Sequence, residues 1–346
     1  MIPSRAAADG SCSLAFADFA GQLASGIDRE GWSSASGCPY LWVDLREATP
    51  PSAETLASVA RALAAIACPT LALVPQGSGA SPGALAACFD VAHSEVKMLE
   101  ASAAGCRRSP QAALALVQRL RGGEAESLEA ALIGESLAYS MLQSGAEFGA
   151  WREGRPQPSA PAASGRSPLR IERSGARLDL VLDRPEKRNA FSAALRDALS
   201  EALEVVAQDP SIEVVALRGE GPAFCAGGDL DEFGSFPDPA SAHAIRSTRN
   251  VARKMAACAE RIEVRVHGAC VGAGIELPAF AARLSARADA FFELPEVAMG
   301  LIPGAGGTVS LPRRIGRQRT AWLALSGERI DVDTAMAWGL VDEVWS

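Results

Sequence analysis

Helical-period segments alternating with short apolar runs predict an α/β fold in which strand ends face helix starts. Three observations carry this. The alternation runs through the chain, a proline-, serine- and alanine-rich stretch at 156–167 parts two halves, and one strand, turn and helix succession occurs in both. With 346 residues, 48% hydrophobic and 21% charged, the chain has enough apolar sequence for a large core.

In the first half, 1–155, LWVDL from Leu41 reads as a strand. PSAETLASVARALAAIA from Pro51 reads as a helix with Ser52 as N-cap, and PTLALVPQGSG from Pro69 as a strand and loop. Two helices follow, SPQAALALVQRLRG from Ser109 and SLEAALIGESLAYSMLQS, which opens at Ser127. In the second half, 168–346, LRIERSGARLDLVLDRP from Leu169 has two strand-like runs about Ser174 and Gly175, a hairpin. NAFSAALRDALSEALEVVAQD from Asn189 is a helix and SIEVVALRGEG a strand and turn. AHAIRSTRNVARKMAAC from Ala242 reads as one helix, RIEVRVHG as a strand, and GIELPAFAARLSA from Gly274 as a helix entered through glycine.

The repeat joins CPTLALVPQGSGASPGALAACFDVAHSE, from Cys68, to ERIEVRVHGACVGAGIELPAFAARLSAR, from Glu260, without a gap at an offset of 192. In that register Ala84 stands opposite Glu276, so the first copy lacks the carboxylate.

A formal net charge of −8 disfavours a nucleic-acid or polybasic membrane surface, so an anionic ligand has to be met by local basic groups and backbone N–H donors. The 8 cysteines form no C-x-x-C pair and sit in apolar runs, which suits reduced thiols rather than a disulfide framework or a zinc site. No basic stretch followed by an uninterrupted apolar run opens the chain, and a cytoplasmic protein without a membrane span is expected.

Three segments carry candidate chemistry: AFCAGGDLDEF (223–233), HGACVGAGIELP (267–278) and ELPEVAMGLIPGAGGTVSLPRRIG (293–316). In the first two, a strand runs into small residues that let a ligand approach backbone N–H groups. Where such a turn opens a helix, the first N–H groups lack partners and carry the positive end of the dipole. Two such turns facing each other make an oxyanion hole for an acyl compound. Glu276 and Glu296 follow close to these turns, and two carboxylates in one pocket separate their apparent pKa values into an acid and a base. On spacing alone, Glu276 also suits a solvated first-turn carboxylate and Glu296 a partner of Arg313 or Arg314. His93, His243 and His267 have no paired ligand or nucleophile spacing and read as structural.

Residues 168–346 resemble the enoyl-CoA hydratase/isomerase family, the crotonases, through DRPEKRNAFS (183–192), AFCAGGDL, HGACVGAGIEL, PEVAMGLIPGAGGTVSLPRRIG and ALSGERIDVDTAMAWGLVDEV in that order. The resemblance implies a spiral of ββα units with a helical trimerisation-type region, an acyl-CoA thioester as substrate, and no metal or redox cofactor. Carried over by position, Gly228 and Ala273 supply the oxyanion N–H groups and Glu276 and Glu296 the two hydratase acids. Lys187, Arg188, Ala190, Ala226, Asp229 and Leu230 fall on coenzyme A positions. Water addition to an α,β-unsaturated acyl-CoA is the implied reaction. Alternatives are a double-bond isomerase using Glu296, or a non-catalytic acyl-CoA-binding partner subunit. A trimer or hexamer is the implied assembly.

Relatives continue past the GLVDEV strand into C-terminal helices that complete the pocket. Here the stretch 109–156 resembles that tail. A decayed first copy that kept its tail is therefore expected ahead of the second copy, with 105–155 packed on the second-half core in cis or from a neighbouring subunit.

Overall fold

Strand pairing sets the frame of the second half, seen in a computed structural model that describes residues 12–345 apart from 25, 27, 78–82, 124, 156–165 and 235–237. Most of the expected linker lies outside the described residues. In chain order the first half holds β1 (Ser13–Ala15), α1 (Phe16–Ala24), β2 (Leu41–Asp44), α2 (Ala53–Ala65), β3 (Thr70–Leu73) and β4 (Val91–His93). Four helices follow, α3 (Val96–Arg108), α4 (Pro110–Gly123), α5 (Leu128–Gln143) and α6 (Ala146–Glu153). The second half holds β5 (Leu169–Ser174), β6 (Arg177–Leu182), α7 (Ala193–Gln208), β7 (Val214–Gly219), α8 (Pro239–Thr248), α9 (Val251–Ala257), β8 (Ile262–Val266), β9 (Ala269–Val271) and α10 (Ala273–Glu276). It ends with β10 (Arg283–Arg287), β11 (Phe291–Glu293), α11 (Gly307–Ile315), α12 (Arg317–Ser326), β12 (Ile330–Asp331), α13 (Val332–Trp338) and β13 (Glu343–Trp345).

The β strands form a six-stranded sheet in the order β13-β10-β8-β7-β6-β5, a three-stranded sheet β12-β11-β9, and a separate parallel sheet β1-β2-β3-β4. β8 then β9, and β10 then β11, each place one strand in the large sheet and the next in the small one, so the chain advances as a spiral. Among the described residues only the β5–β6 hairpin and the β11–β12 pair are antiparallel.

Two helix expectations are corrected. AFAARLSA does not continue the helix after Glu276: α10 stops there, Pro278–Phe280 makes a 3-10 turn, and 283–287 is strand β10, paired in parallel with β8. Pro278 has no N–H for a continuing helix, and Leu284 and Ala286 are fully buried between layers. The run 242–258 is two helices rather than one, because the side chain of Asn250 caps the Arg253 N–H and restarts the turn.

The offset of 192 extends to the structure. It carries β3 onto β8, the 3-10 turn Ala86–Cys88 onto Pro278–Phe280, and β4 onto the start of β10. The pairing register is carried too, since Leu71 faces Val91 as Glu263 faces Arg283.

The two halves share one core. Leu71, Leu99, Leu116 and Phe148 belong to the same buried cluster as Val264, Ile275 and Leu323, while Phe19, Val43, Val59 and Leu63 fill a smaller one behind the first sheet. At the seam, α3 meets α12 so closely that a methyl on Gly105 would stand 1.8 Å from the Leu325 carbonyl oxygen. The buried Asp90 carboxylate accepts from Thr70 N–H and from the guanidinium groups of Arg121 and Arg317, tying the first sheet, α4 and α12 together. The helices α4 and α5 pack on α11, and α5 also on α8.

Candidate active site

Strand register brings the two small-residue turns together. Cys225 N–H donates to Ala269 O and Val271 N–H to Cys225 O, so the stretches before Gly228 and before Ala273 run side by side. A bridge between Phe191 and Gly228 uses the N–H groups of Phe191 and Asp229, which leaves Gly228 N–H directed away from that pair. Ala273 is the first residue of α10, where an N–H has no intrahelical acceptor. Among the described residues neither N–H donates a backbone hydrogen bond.

Gly272 is the position where only glycine serves. Its φ is +51°, and a Cβ there would stand 2.4 Å from Glu296 Oε1 and 3.7 Å from Gly227 Cα. Its bare face therefore seats the Glu296 carboxyl against the α10 entrance. Glu296 opens a short 3-10 turn at 296–299, and its Oε2 is buried with no hydrogen-bond partner. It makes no ion pair with Arg313 or Arg314, and Arg314 binds Asp342 instead.

Glu276 is 2% exposed, so the solvated reading does not hold. Its Oε2 accepts from Ala305 N–H at 2.7 Å and Gly307 N–H at 2.9 Å, and the close approach of Gly307 leaves no space for a side chain. The same loop is held from the other side by Glu135 of α5. Gly306 N–H donates to Glu135 Oε1 at 2.7 Å, and Thr308 N–H and Oγ1–H to Oε2 at 2.9 and 2.7 Å. The two carboxylates thus take alternate N–H groups of residues 305–308.

Burial is the main cause of three raised carboxyl pKa values here. Glu135 is pushed up to about 7, with the Thr308 and Gly306 donors opposing. Glu296 is pushed up to about 8. Glu276 is raised well above the carboxylate range by burial and by the charges of Glu296 and Glu135, against the pull of Ala305 and Gly307 N–H.

Gly228, Asp229, Ala273, Glu276 and Glu296 line one cavity of about 180 Å³. Lys187, Arg188, Ala190, Ala226 and Leu230 lie outside its lining. They belong to two loops bonded to each other: Ala226 N–H donates to Arg188 O, buried Ala190 N–H to Lys187 O, and exposed Lys187 pairs with Asp231 at 2.6 Å. Asp229 is buried and its carboxylate accepts from Arg184. Arg188 and Asn189 have positive φ, +50° and +55°, which turns the loop back toward 225–230.

The tail-like stretch 109–156 does reach the pocket, but none of its lining residues was named from sequence: the other wall is made by Leu132, Glu135, Ser136, Tyr139 and Gln143 of α5 with Arg246 of α8. Glu135 stands among small and apolar residues of its helix, and nothing local singles it out as facing Glu276 far downstream. The histidines are tied structurally: His267 Nε2 lies 2.9 Å from Gly221 O, His93 Nδ1 accepts from Glu95 N–H, and His243 Nδ1 lies 2.9 Å from Ser136 Oγ. Among the described residues no cluster of His, Cys, Asp and Glu is arranged to hold a metal ion, and no helix is long and apolar enough to cross a membrane.

The profile of the family described as enoyl-CoA hydratase/isomerase matches residues 173–346. A 2,3-dehydroadipyl-CoA hydratase of Escherichia coli is 36% identical over 179 residues, 52% of this chain and 69% of that protein. An enoyl-CoA isomerase/hydratase of Mycosarcoma maydis is 34% identical over 174 residues, 48% of this chain and 64% of that protein. A crystal structure of an enoyl-CoA hydratase from Thermoplasma volcanium aligns at 35% identity over 53% of this chain and 73% of that one, with a TM-score of 0.49. The matched segments thus span about two thirds of these relatives' own lengths. With the family profile matched over half its length, the chain belongs to the enoyl-CoA hydratase/isomerase family and has that family's crotonase fold.

Proposed function

We propose that the protein is an enoyl-CoA hydratase, adding water across the double bond of an α,β-unsaturated acyl-CoA. The observation that carries this reading is a pair of glutamates in one cavity, buried Glu276 and half-buried Glu296 with its Oε2 shut away from solvent, beside two unengaged backbone N–H groups. The thioester oxygen is held by Gly228 N–H and Ala273 N–H, which draws electron density from Cβ. The water oxygen bonds to Cβ while a proton passes from water to Glu276. The alkene pair moves into an enolate whose oxygen faces the two N–H donors, and Glu296 delivers a proton to Cα to restore the thioester. Each such donor contributes about 10² to 10³ in rate in other enzymes.

Surroundings divide the two roles. Two N–H donors on one oxygen of Glu276 oppose the rise imposed by burial and by the Glu296 and Glu135 charges, and that rise lessens while Glu296, whose Oε2 has no donor, holds its proton. Glu296, pushed up to about 8, keeps the proton that Cα needs near neutral pH. Water and the coenzyme A thioester are the only reactants in this scheme, and no step needs a metal or redox cofactor. Lys187 and Arg188 are assigned to the coenzyme's phosphates, with Ala190, Ala226, Asp229 and Leu230 along its path. A trimer or hexamer is the assembly we assign by family likeness.

Loss of the enoyl thioester absorbance of crotonyl-CoA tests the reading. Hydration abolished by Glu276→Gln and by Glu296→Gln supports it. A double-bond shift that survives Glu276→Gln but not Glu296→Gln assigns an isomerase, and thioester binding without turnover in the wild type assigns a binding subunit.

A further inference from the structure

The wall built by α5 and α8 carries a cation that the hydration chemistry leaves unused. Arg246 is half-buried and lines the cavity. Its Nε donates to Ser136 Oγ at 3.0 Å, its Nη2 donates to Ser140 Oγ, and its Cζ lies 4.9 Å from the Tyr139 ring centroid. These contacts fix the guanidinium without an ion pair, and the Glu135 charge acts on it only from a distance. Arg196 and Arg249 line the same cavity, but both pair with Asp197. Among the described residues no carboxylate lies within ion-pairing distance of Arg246. Glu135, on the same helix as its serine partners, is engaged by Gly306 and Thr308.

A second polar group in this wall is also incomplete. Gln143, one turn beyond Tyr139, lines the cavity with a buried Oε1 that has no hydrogen-bond partner. Turned about its last bond, the same amide presents its NH2 at that place. A partly desolvated guanidinium without an ion-pair partner and a buried amide atom without a hydrogen-bond partner both cost free energy until something completes them. An apolar acyl chain completes neither.

We propose that Arg246 and Gln143 receive a carboxylate at the far end of the acyl group, so that the cavity takes monothioesters of dicarboxylic acids. This rests on reading the cavity as an acyl-CoA site. A carboxylate suits the pair better than a hydroxyl, because it supplies the missing counter-charge and its two oxygens can take guanidinium and amide N–H groups together. A site built to pair a charged end also rejects the uncharged analogue, since its own polar groups are then left unsatisfied.

The test is binding of saturated, unreactive thioesters to the full chain by calorimetry. Succinyl-, glutaryl- and adipyl-CoA are compared with butyryl-, pentanoyl- and hexanoyl-CoA, and each is repeated with Arg246→Gln and Arg246→Lys. The expected result is at least one chain length at which the dicarboxylic thioester binds tenfold or more tightly than its monocarboxylic match. That preference disappears in Arg246→Gln while monocarboxylic binding changes less than threefold, and part of it returns in Arg246→Lys. Equal binding of the two series by the wild type, or a preference that persists in Arg246→Gln, overturns the inference and leaves the hydratase reading standing. Failure of both series to bind overturns the acyl-CoA reading itself, and this inference with it. Should Arg246→Gln not fold, the wild-type comparison and Arg246→Lys still decide the matter.

Discussion

Glu276 and Glu296 sit in one cavity but face different surroundings, and that difference predicts how each substitution behaves. Glu276→Gln and Glu296→Gln are each expected to lower hydration by about 10² to 10⁴, with circular dichroism unchanged. A fall below tenfold in both counts against the two-carboxylate mechanism. Because Glu296 gives up its proton near 8, kcat/KM is expected to decline as pH rises through about 8 in the wild type. The same proton affects stability. Glu296 holds it up to about 8 in the folded chain, against an ordinary value of 4.5. The folded state therefore binds one more proton between those values, and the stability this carboxyl contributes is full below about 4.5 and falls as pH climbs toward 8. Glu296→Gln has no such proton to lose. Its melting temperature is expected to gain on the wild type from pH 5 to pH 9, and parallel melting curves at both values speak against the raised pKa.

At the scale of elements, the loop 305–308 is the hinge between halves and site. Its N–H groups are shared alternately by Glu276 from α10 and Glu135 from α5, so a helix of the first half fixes a loop that in turn fixes a catalytic candidate. Glu135→Gln keeps the shape but loses one acceptor oxygen, leaving a buried donor unpaired at a cost of about 1 to 3 kcal/mol. Displacement of Glu276 by a fraction of an ångström is expected to lower kcat by about 10²-fold with a smaller change in KM. Glu135→Asp, which retains both oxygens, is expected to recover part of kcat. Equal kcat in wild type and Glu135→Gln rules out this positioning role.

Across the whole molecule, the first half is joined to the second by packing, by the Glu135 bonds to Gly306 and Thr308, and by a buried ion cluster at Asp90. Asp90 receives Arg121 and Arg317, and removing its charge strands two guanidinium groups that are largely out of water. Asp90→Asn is expected to destabilise the chain by about 3 to 5 kcal/mol, read from urea unfolding with the transition still cooperative. A chain of residues 166–346 loses the α5 wall of the cavity and exposes the α11 and α12 faces that α3, α4 and α5 cover. It is expected to be poorly soluble and inactive toward crotonyl-CoA, and full activity in such a chain shows the first half to be dispensable.

Local sequence determined the strands β5 to β8, the helices α2, α4, α5 and α7, and the caps at Ser52 and Ser127, and its ordered motifs held Gly228, Ala273, Glu276 and Glu296, which line one cavity. These were legible because periodicity, capping residues and ordered motifs act over a few neighbours. The end of α10 was misread because Ala, Leu and Ser at 282–286 suit a helix, whereas parallel pairing with β8 makes them strand. Glu135, Gln143 and Arg246 were illegible for a related reason. Each is ordinary in its own helix, and only the packing of α5 on α8 and α11 turns them toward one cavity. Tertiary structure also decided which carboxyls lose their water, and it is that burial, not their position in the chain, that raises the Glu135, Glu276 and Glu296 pKa values.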